Sequence, residues 1–165
     1  MIIDIFLDRD GTLIKDPGYI SSRDDVEVIN GVIRGLKLFK SKGYRLHIVS
    51  NQSGVPRGKI SALDFIAVES YVNKLFFEQG LEFDSFNYCF HLPTDGCNCR
   101  KPKIGLFQKV SQEYGIEKVN SVMLGNSDVD EAAAKNFGIP FWKVGESEGN
   151  FFETAREVVR HFEGI

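Results

Sequence analysis

The chain opens with Ile2-Ile3-Asp4-Ile5-Phe6-Leu7 and runs straight into Asp8-Arg9-Asp10-Gly11-Thr12. The first six residues are an apolar, β-branched run of the length of one buried strand in a parallel sheet. The run stops at two carboxylates one residue apart, followed by a glycine that lets the chain turn. In an open α/β sheet a central strand would deliver those carboxylates to the carboxyl edge, where such sheets bind ligands. Two carboxylates so close repel each other, so a cation must compensate them or one must hold a proton. A hard metal, a nucleophile and a proton shuttle are all chemically available from such a pair. Asp and Gly are also common turn residues, so the chemistry has to be read from the rest of the chain.

Outward from that stretch, the pattern repeats. Ile14 to Asn30 reads as a loop, with Pro17-Gly18 as a turn signal, and is long enough to lie over a site. Gly31 to Lys42 is helical, with Val32, Leu36 and Phe39 on one face. Tyr44 to Val49 is a second strand, ending at Ser50-Asn51. Ser61 caps a helix whose stripe is Phe65, Val68, Val72, Leu75 and Phe76, and Asp64 completes a capping-box spacing. Phe83 to Tyr88 is a third strand, and Ile104 to Tyr114 a helix stopped by Gly115. Val119 to Leu124 is a fourth strand, closing on Gly125-Asn126-Ser127-Asp128-Val129-Asp130. A helix to Phe137, a strand around Ile139 to Val144 and a last helix complete the order. Strand alternating with helix predicts right-handed crossovers and a three-layer α/β fold, a parallel sheet with helices on both faces. At 165 residues, one domain is expected.

Composition narrows the function classes. The net charge of −3 lends no support to a non-specific nucleic-acid footprint. No apolar stretch approaches a membrane span, and the first residues lack the basic-then-apolar pattern of a leader. A cytoplasmic protein, monomeric and with no nucleic-acid or membrane partner, is the expectation. All three cysteines lie between Cys89 and Cys99. Cys89-Phe90-His91 and Cys97-Asn98-Cys99 together supply four soft or borderline ligands within eleven residues, a closed tetrahedral Zn²⁺ shell with no open position for water. Such a centre is structural and would set the position of Arg100 and Lys101. His47 and His161 have no assigned role.

Three polar clusters therefore stand at three predicted strand ends, with Arg100-Lys101-Pro102-Lys103 opening a helix beside them. Acids, hydroxyl and amide donors, and fixed cations suit phosphoryl transfer, where positioning and charge neutralisation dominate. The sequence resembles the haloacid dehalogenase superfamily of phosphohydrolases over essentially its whole length. Asp8 to Thr12 matches the first motif, Ser50-Asn51 the second, Lys101 the third and Gly125 to Asp130 the fourth. The resemblance implies that Asp8 is the nucleophile and Asp10 the acid and base. It implies that Ser50, Asn51 and Lys101 hold phosphate oxygens. It further implies Mg²⁺ between Asp8, the Asp10 carbonyl and a fourth-motif side chain, which this register makes Asn126. Asp10 favours a phosphatase over a dehalogenase, because a leaving halide needs no proton.

The cysteine loop narrows the resemblance to capless enzymes acting on D-glycero-D-manno-heptose 1,7-bisphosphate or histidinol phosphate. Asn51 to Gly58 and Gly18-Tyr19 look like the heptose enzymes, whereas the short spacing from His91 to Cys97 resembles the histidinol enzymes. Removal of the 7-phosphate of the heptose bisphosphate is the expectation. Arg100 would then grip the substrate, with Arg57 and Lys59 as further candidates. The chain departs from the family's pattern at Asn126, where an aspartate usually ligates the metal, and at Ser127, where a lysine usually stands. Asp128 or Asp130 ligates instead, Asn126 suffices, or the protein is an impaired phospho-ligand binder.

Overall fold

The computed structural model describes residues 1–146 and 150–165. Five parallel strands form one sheet: β1 (Asp4–Leu7), β2 (Arg45–Asn51), β3 (Ser85–Cys89), β4 (Ser121–Gly125) and β5 (Phe141–Lys143), in the order β3-β2-β1-β4-β5. The chain starts in the middle of the sheet, builds outward to β3, and returns past β1 to build the other half. The order reverses beside β1, so β1 and β4 flank the crevice expected at a switch point.

Among the described residues, five α-helices cover the sheet: α1 (Val32–Ser41), α2 (Ala62–Phe77), α3 (Gly105–Tyr114), α4 (Asp128–Phe137) and α5 (Asn150–Glu163). Alternation along β1 sends Ile5 and Leu7 to one face and Phe6 to the other. The first face is packed by α1, α2 and α5 through Leu36, Val72 and Phe151. The second is packed by α3 and α4 through Phe107, Ala134 and Phe137. All four residues of β1 are buried, as a strand covered on both faces must be. Among the described residues, no helix is long and apolar enough to cross a membrane.

Several boundaries differ from the sequence reading for identifiable reasons. β2 runs through Ser50 and Asn51 because β3 pairs with it along its whole upper half, Ser50 opposite Tyr88 and Asn51 opposite Cys89. The polar residues thus belong to a hydrogen-bonded strand rather than to a loose turn. β4 begins at Ser121 because Lys118–Asn120 forms a 3-10 turn that leaves Val119 exposed. Ser61 accepts the Asp64 N–H at 3.0 Å, half of the expected capping box. Reciprocal boxes form instead at Ser22/Asp25 and Ser127/Asp130.

His47 has a structural task. Its Nε2 lies 2.8 Å from Asp4 Oδ1 and its Nδ1 2.8 Å from Ser85 Oγ, while Arg45 donates to both Asp4 oxygens at 2.7 and 2.9 Å. Burial raises the Asp4 pKa, but the His47 and Arg45 bonds more than offset it and hold the carboxyl below its ordinary range. This ties β1, β2 and β3 together near the strands' N-terminal ends.

Candidate active site

Asp8 is the first residue after β1, and its N–H still bonds Leu124 O of β4 at 3.2 Å. The turn that follows is closed by Leu13 N–H on Arg9 O at 2.9 Å and Gly11 N–H on Ile14 O at 2.7 Å. Gly11 is required there twice over. Its φ is +82°, and a Cβ at that position would stand 2.2 Å from Asn126 Nδ2. That close approach brings the end of β4 against the turn after β1. At Gly125 a Cβ would meet the Asp130 side chain at 2.6 Å, so a bare backbone is needed for Asp130 to fold back over the strand end.

Lys101 stands at the centre. Its Nζ donates to Asp8 Oδ1 at 3.0 Å and to Asp130 Oδ1 at 2.6 Å, with the side chain 2 % exposed. Burial pulls the ammonium pKa down, but the two carboxylates more than offset it, so the charge is retained. Burial likewise pushes the Asp8 carboxyl up, with Asp130 and Asp10 adding to the rise and Lys101 opposing it, to about 7. The second Asp130 oxygen accepts the N–H groups of Asn126 and Ser127 at 3.2 and 3.3 Å. Asp130 is therefore occupied on both oxygens as cap and counter-ion, whereas Asp128 is exposed.

Asn51 pairs with the Lys101 backbone in both directions, Nδ2 to the carbonyl at 3.0 Å and the Lys101 N–H to Oδ1 at 2.9 Å. An amide from the end of β2 thus fixes the segment carrying the lysine. Ser50 is buried beside it and accepts from Gln52 Nε2 at 2.9 Å. Asn126 borders the same space and accepts from Thr12 Oγ1 at 3.4 Å.

These residues line a cavity of about 320 Å³. Asp8, Asp10, Ser50, Lys101 and Asn126 form its floor; Tyr19 and Ile20 from the first loop, Gly54 and Ile60 from the second, and Arg100 complete its wall. The structure brings together the expected residues except Arg57 and Lys59. Both are exposed and outside the lining, and Arg57 Nε bonds Ser53 Oγ at 3.3 Å. Arg9, Gln52 and the Asp130–Lys101 pair carry no signal in spacing, because their partners are remote in sequence or hidden inside a motif.

The cysteine loop leaves the end of β3. One donor atom from each of Cys89, His91, Cys97 and Cys99 lies within 4.8 Å of the others. The Sγ atoms of Cys89 and Cys99 are 3.1 Å apart, and His91 Nδ1 is 3.3 and 3.2 Å from those two sulfurs. Three sulfurs and one imidazole converging on one point are a metal-binding group. Burial pushes the Cys89 thiol up to about 12. At Cys97 burial is the largest single influence and raises the thiol, but the N–H groups of Arg100 and Cys99 and the neighbouring Cys99 and Cys89 sulfurs together outweigh it and bring it down to about 7. Arg100 reaches back from the cavity wall to His91 O at 3.4 Å, so the loop and the cavity share a residue.

A carboxylate directly after β1, an ammonium held against it and a second carboxylate two residues on are the arrangement of a phosphohydrolase of the haloacid dehalogenase class. A family model described as polynucleotide kinase 3 phosphatase matches residues 3–134. A D-glycero-beta-D-manno-heptose-1,7-bisphosphate 7-phosphatase of Vibrio cholerae is 38% identical over 142 residues, covering 82% of this chain and 76% of its own. A histidine biosynthesis bifunctional protein of Legionella pneumophila is 34% identical over 145 residues, covering 87% of this chain and 41% of its own. A crystal structure of D,D-heptose 1,7-bisphosphate phosphatase from B. bronchiseptica, complexed with magnesium and phosphate, superposes with a TM-score of 0.88 at 24% identity, covering 96% of this chain and 99% of that one. The chain belongs to this phosphatase family of the haloacid dehalogenase superfamily.

Proposed function

We propose that the protein is a phosphomonoesterase for a small phosphorylated sugar, removing the 7-phosphate of D-glycero-D-manno-heptose 1,7-bisphosphate. The observation that carries this reading is the buried Lys101 ammonium 3.0 Å from Asp8 on the floor of a polar cavity. The relatives named for that substrate, similar over most of both chains, support the choice. In the first half-reaction an Asp8 oxygen attacks phosphorus while the bond to the sugar oxygen breaks, and Asp10 gives that oxygen its proton. In the second, Asp10 takes a proton from water, the water oxygen bonds phosphorus, and the bond to Asp8 breaks to release phosphate. Lys101 and Ser50 hold the phosphoryl oxygens, Asn51 holds Lys101 in place, and Arg100 meets the remainder of the substrate.

A Mg²⁺ ion fits the donors present: Asp8 and Asn126 offer side-chain oxygens to the same cavity, and the turn offers the Asp10 carbonyl. Those three groups would hold it, and when bound it supplies positive charge to the phosphate. We assign Zn²⁺ to the Cys89, His91, Cys97 and Cys99 group on its donor chemistry. The reading takes the chain as one domain, working as a cytoplasmic monomer.

The test is phosphate release from the heptose bisphosphate against histidinol phosphate, with Asp8→Asn as control. Faster turnover of the heptose bisphosphate, abolished by Asp8→Asn, is expected. Preference for histidinol phosphate would move the substrate, and binding of both without turnover at saturating Mg²⁺ would overturn the enzyme.

A further inference from the structure

The Asp10 carboxylate is gripped from two sides by groups outside the substrate-contacting set. Arg9 is 1 % exposed. It folds back so that Nε donates to Asp10 Oδ1 at 2.7 Å and Nη2 reaches Oδ2 at 3.4 Å. Its guanidinium lies over the rings of Phe65 and Tyr88, with Cζ 5.4 and 6.0 Å from their centroids. A buried guanidinium on an aromatic platform is a fixed object, held by packing as well as by charge. From the other side Gln52, 5 % exposed, donates from Nε2 to Asp10 Oδ2 at 3.0 Å and to Ser50 Oγ at 2.9 Å.

The two grips are unequal in kind. The Arg9 bond to Oδ1 is short and charge-assisted, so that oxygen serves as an acceptor throughout. Oδ2 has only a neutral amide and a long guanidinium contact, and retains a lone pair for a proton. Gln52 borders the cavity and Arg9 does not, so Oδ2 is the oxygen on the cavity side.

We propose that Arg9 and Gln52 are positioning residues for Asp10, Arg9 reserving Oδ1 as an acceptor and Gln52 aiming Oδ2 as the oxygen that carries the proton. This rests on the phosphatase reading above. In the first half-reaction the proton on Oδ2 moves to the leaving oxygen as its bond to phosphorus breaks. In the second, a water proton returns to Oδ2 as the water oxygen bonds phosphorus and the Asp8–phosphorus bond breaks. Holding the proton-bearing oxygen in line matters most where the leaving group cannot depart as an anion.

The experiment compares an alkyl phosphate, the heptose bisphosphate, with 4-nitrophenyl phosphate, whose leaving phenolate needs little protonation. Gln52→Met removes both amide bonds at similar volume, and Gln52→Asn shortens the reach by one methylene. Each variant is expected to lose kcat/KM, which reports the first half-reaction alone, on the alkyl phosphate by about 30-fold or more, and at least about tenfold more than on the aryl phosphate. Arg9→Met is expected to move the same ratio in the same direction, with partial recovery in Arg9→Lys. Equal losses on the two substrates, or no loss on the alkyl phosphate, would overturn the proposal while leaving the phosphatase in place. Turnover that survives Asp8→Asn would instead refute the reading on which it rests.

Discussion

At position 126 a neutral amide stands where a carboxylate would complete the cation's shell. Asp130 is engaged elsewhere, its oxygens serving Lys101 and the start of α4. Asn126→Asp should therefore tighten Mg²⁺ by about tenfold, read by calorimetric titration of the metal alone. Unchanged affinity would show that the side chain at 126 is not a ligand. Asp8 adds a pH dependence. Its carboxyl is raised to about 7 in the metal-free chain, so below that pH a cation must displace a proton. Apparent Mg²⁺ affinity should rise as pH climbs from 5 towards 7, by up to about tenfold per unit, and level off above. The metal-free chain shows the converse: a raised carboxyl pKa stabilises the fold at low pH, and that contribution fades as pH rises from about 4 through 7. Melting temperature with and without Mg²⁺ should diverge across that window, and a constant gap would contradict the burial argument.

The element that the fold does least to support is the loop from Cys89 to Lys101. Apart from Cys89 it contributes little to the core, yet it delivers Arg100 and Lys101 to the cavity. Stripping its metal, or Cys97→Ser, should lower the melting temperature and cut turnover together, with one zinc per chain lost by elemental analysis. Loss of zinc with neither effect would make the centre incidental. The loop was legible in the sequence because metal ligands must cluster whatever the fold, as were the strand ends, where apolar runs break on polar residues. Less legible was what those polar residues do once there. Asn51 reads as a phosphate ligand, but its amide is matched to the Lys101 backbone fifty residues away. Gln52 and Arg9 sit inside or beside motifs, and only the packing of Phe65 and Tyr88 turns Arg9 towards Asp10. Strand limits shifted for a similar reason, since pairing with β3 carries β2 past its apolar run.

At the scale of the whole molecule, charge and cavity size limit what can be bound. The net charge of −3 does not favour a polyanion, and the cavity of about 320 Å³ suits a sugar phosphate. Although the family model is described for a polynucleotide phosphatase, a 3′-phosphorylated oligonucleotide should be turned over at least about a hundredfold less efficiently than the heptose bisphosphate, and without the steep salt dependence of phosphate-backbone binding. Comparable kcat/KM values would reverse that assignment. Phosphoryl transfer to Asp8 itself is what the proposed mechanism requires. It is tested most directly by quenching the enzyme during turnover, reducing with borohydride and sequencing the peptides by mass spectrometry. An acyl phosphate at Asp8 would be converted to homoserine at that one position. An unmodified Asp8, with homoserine elsewhere or nowhere while phosphate is released, would contradict the account.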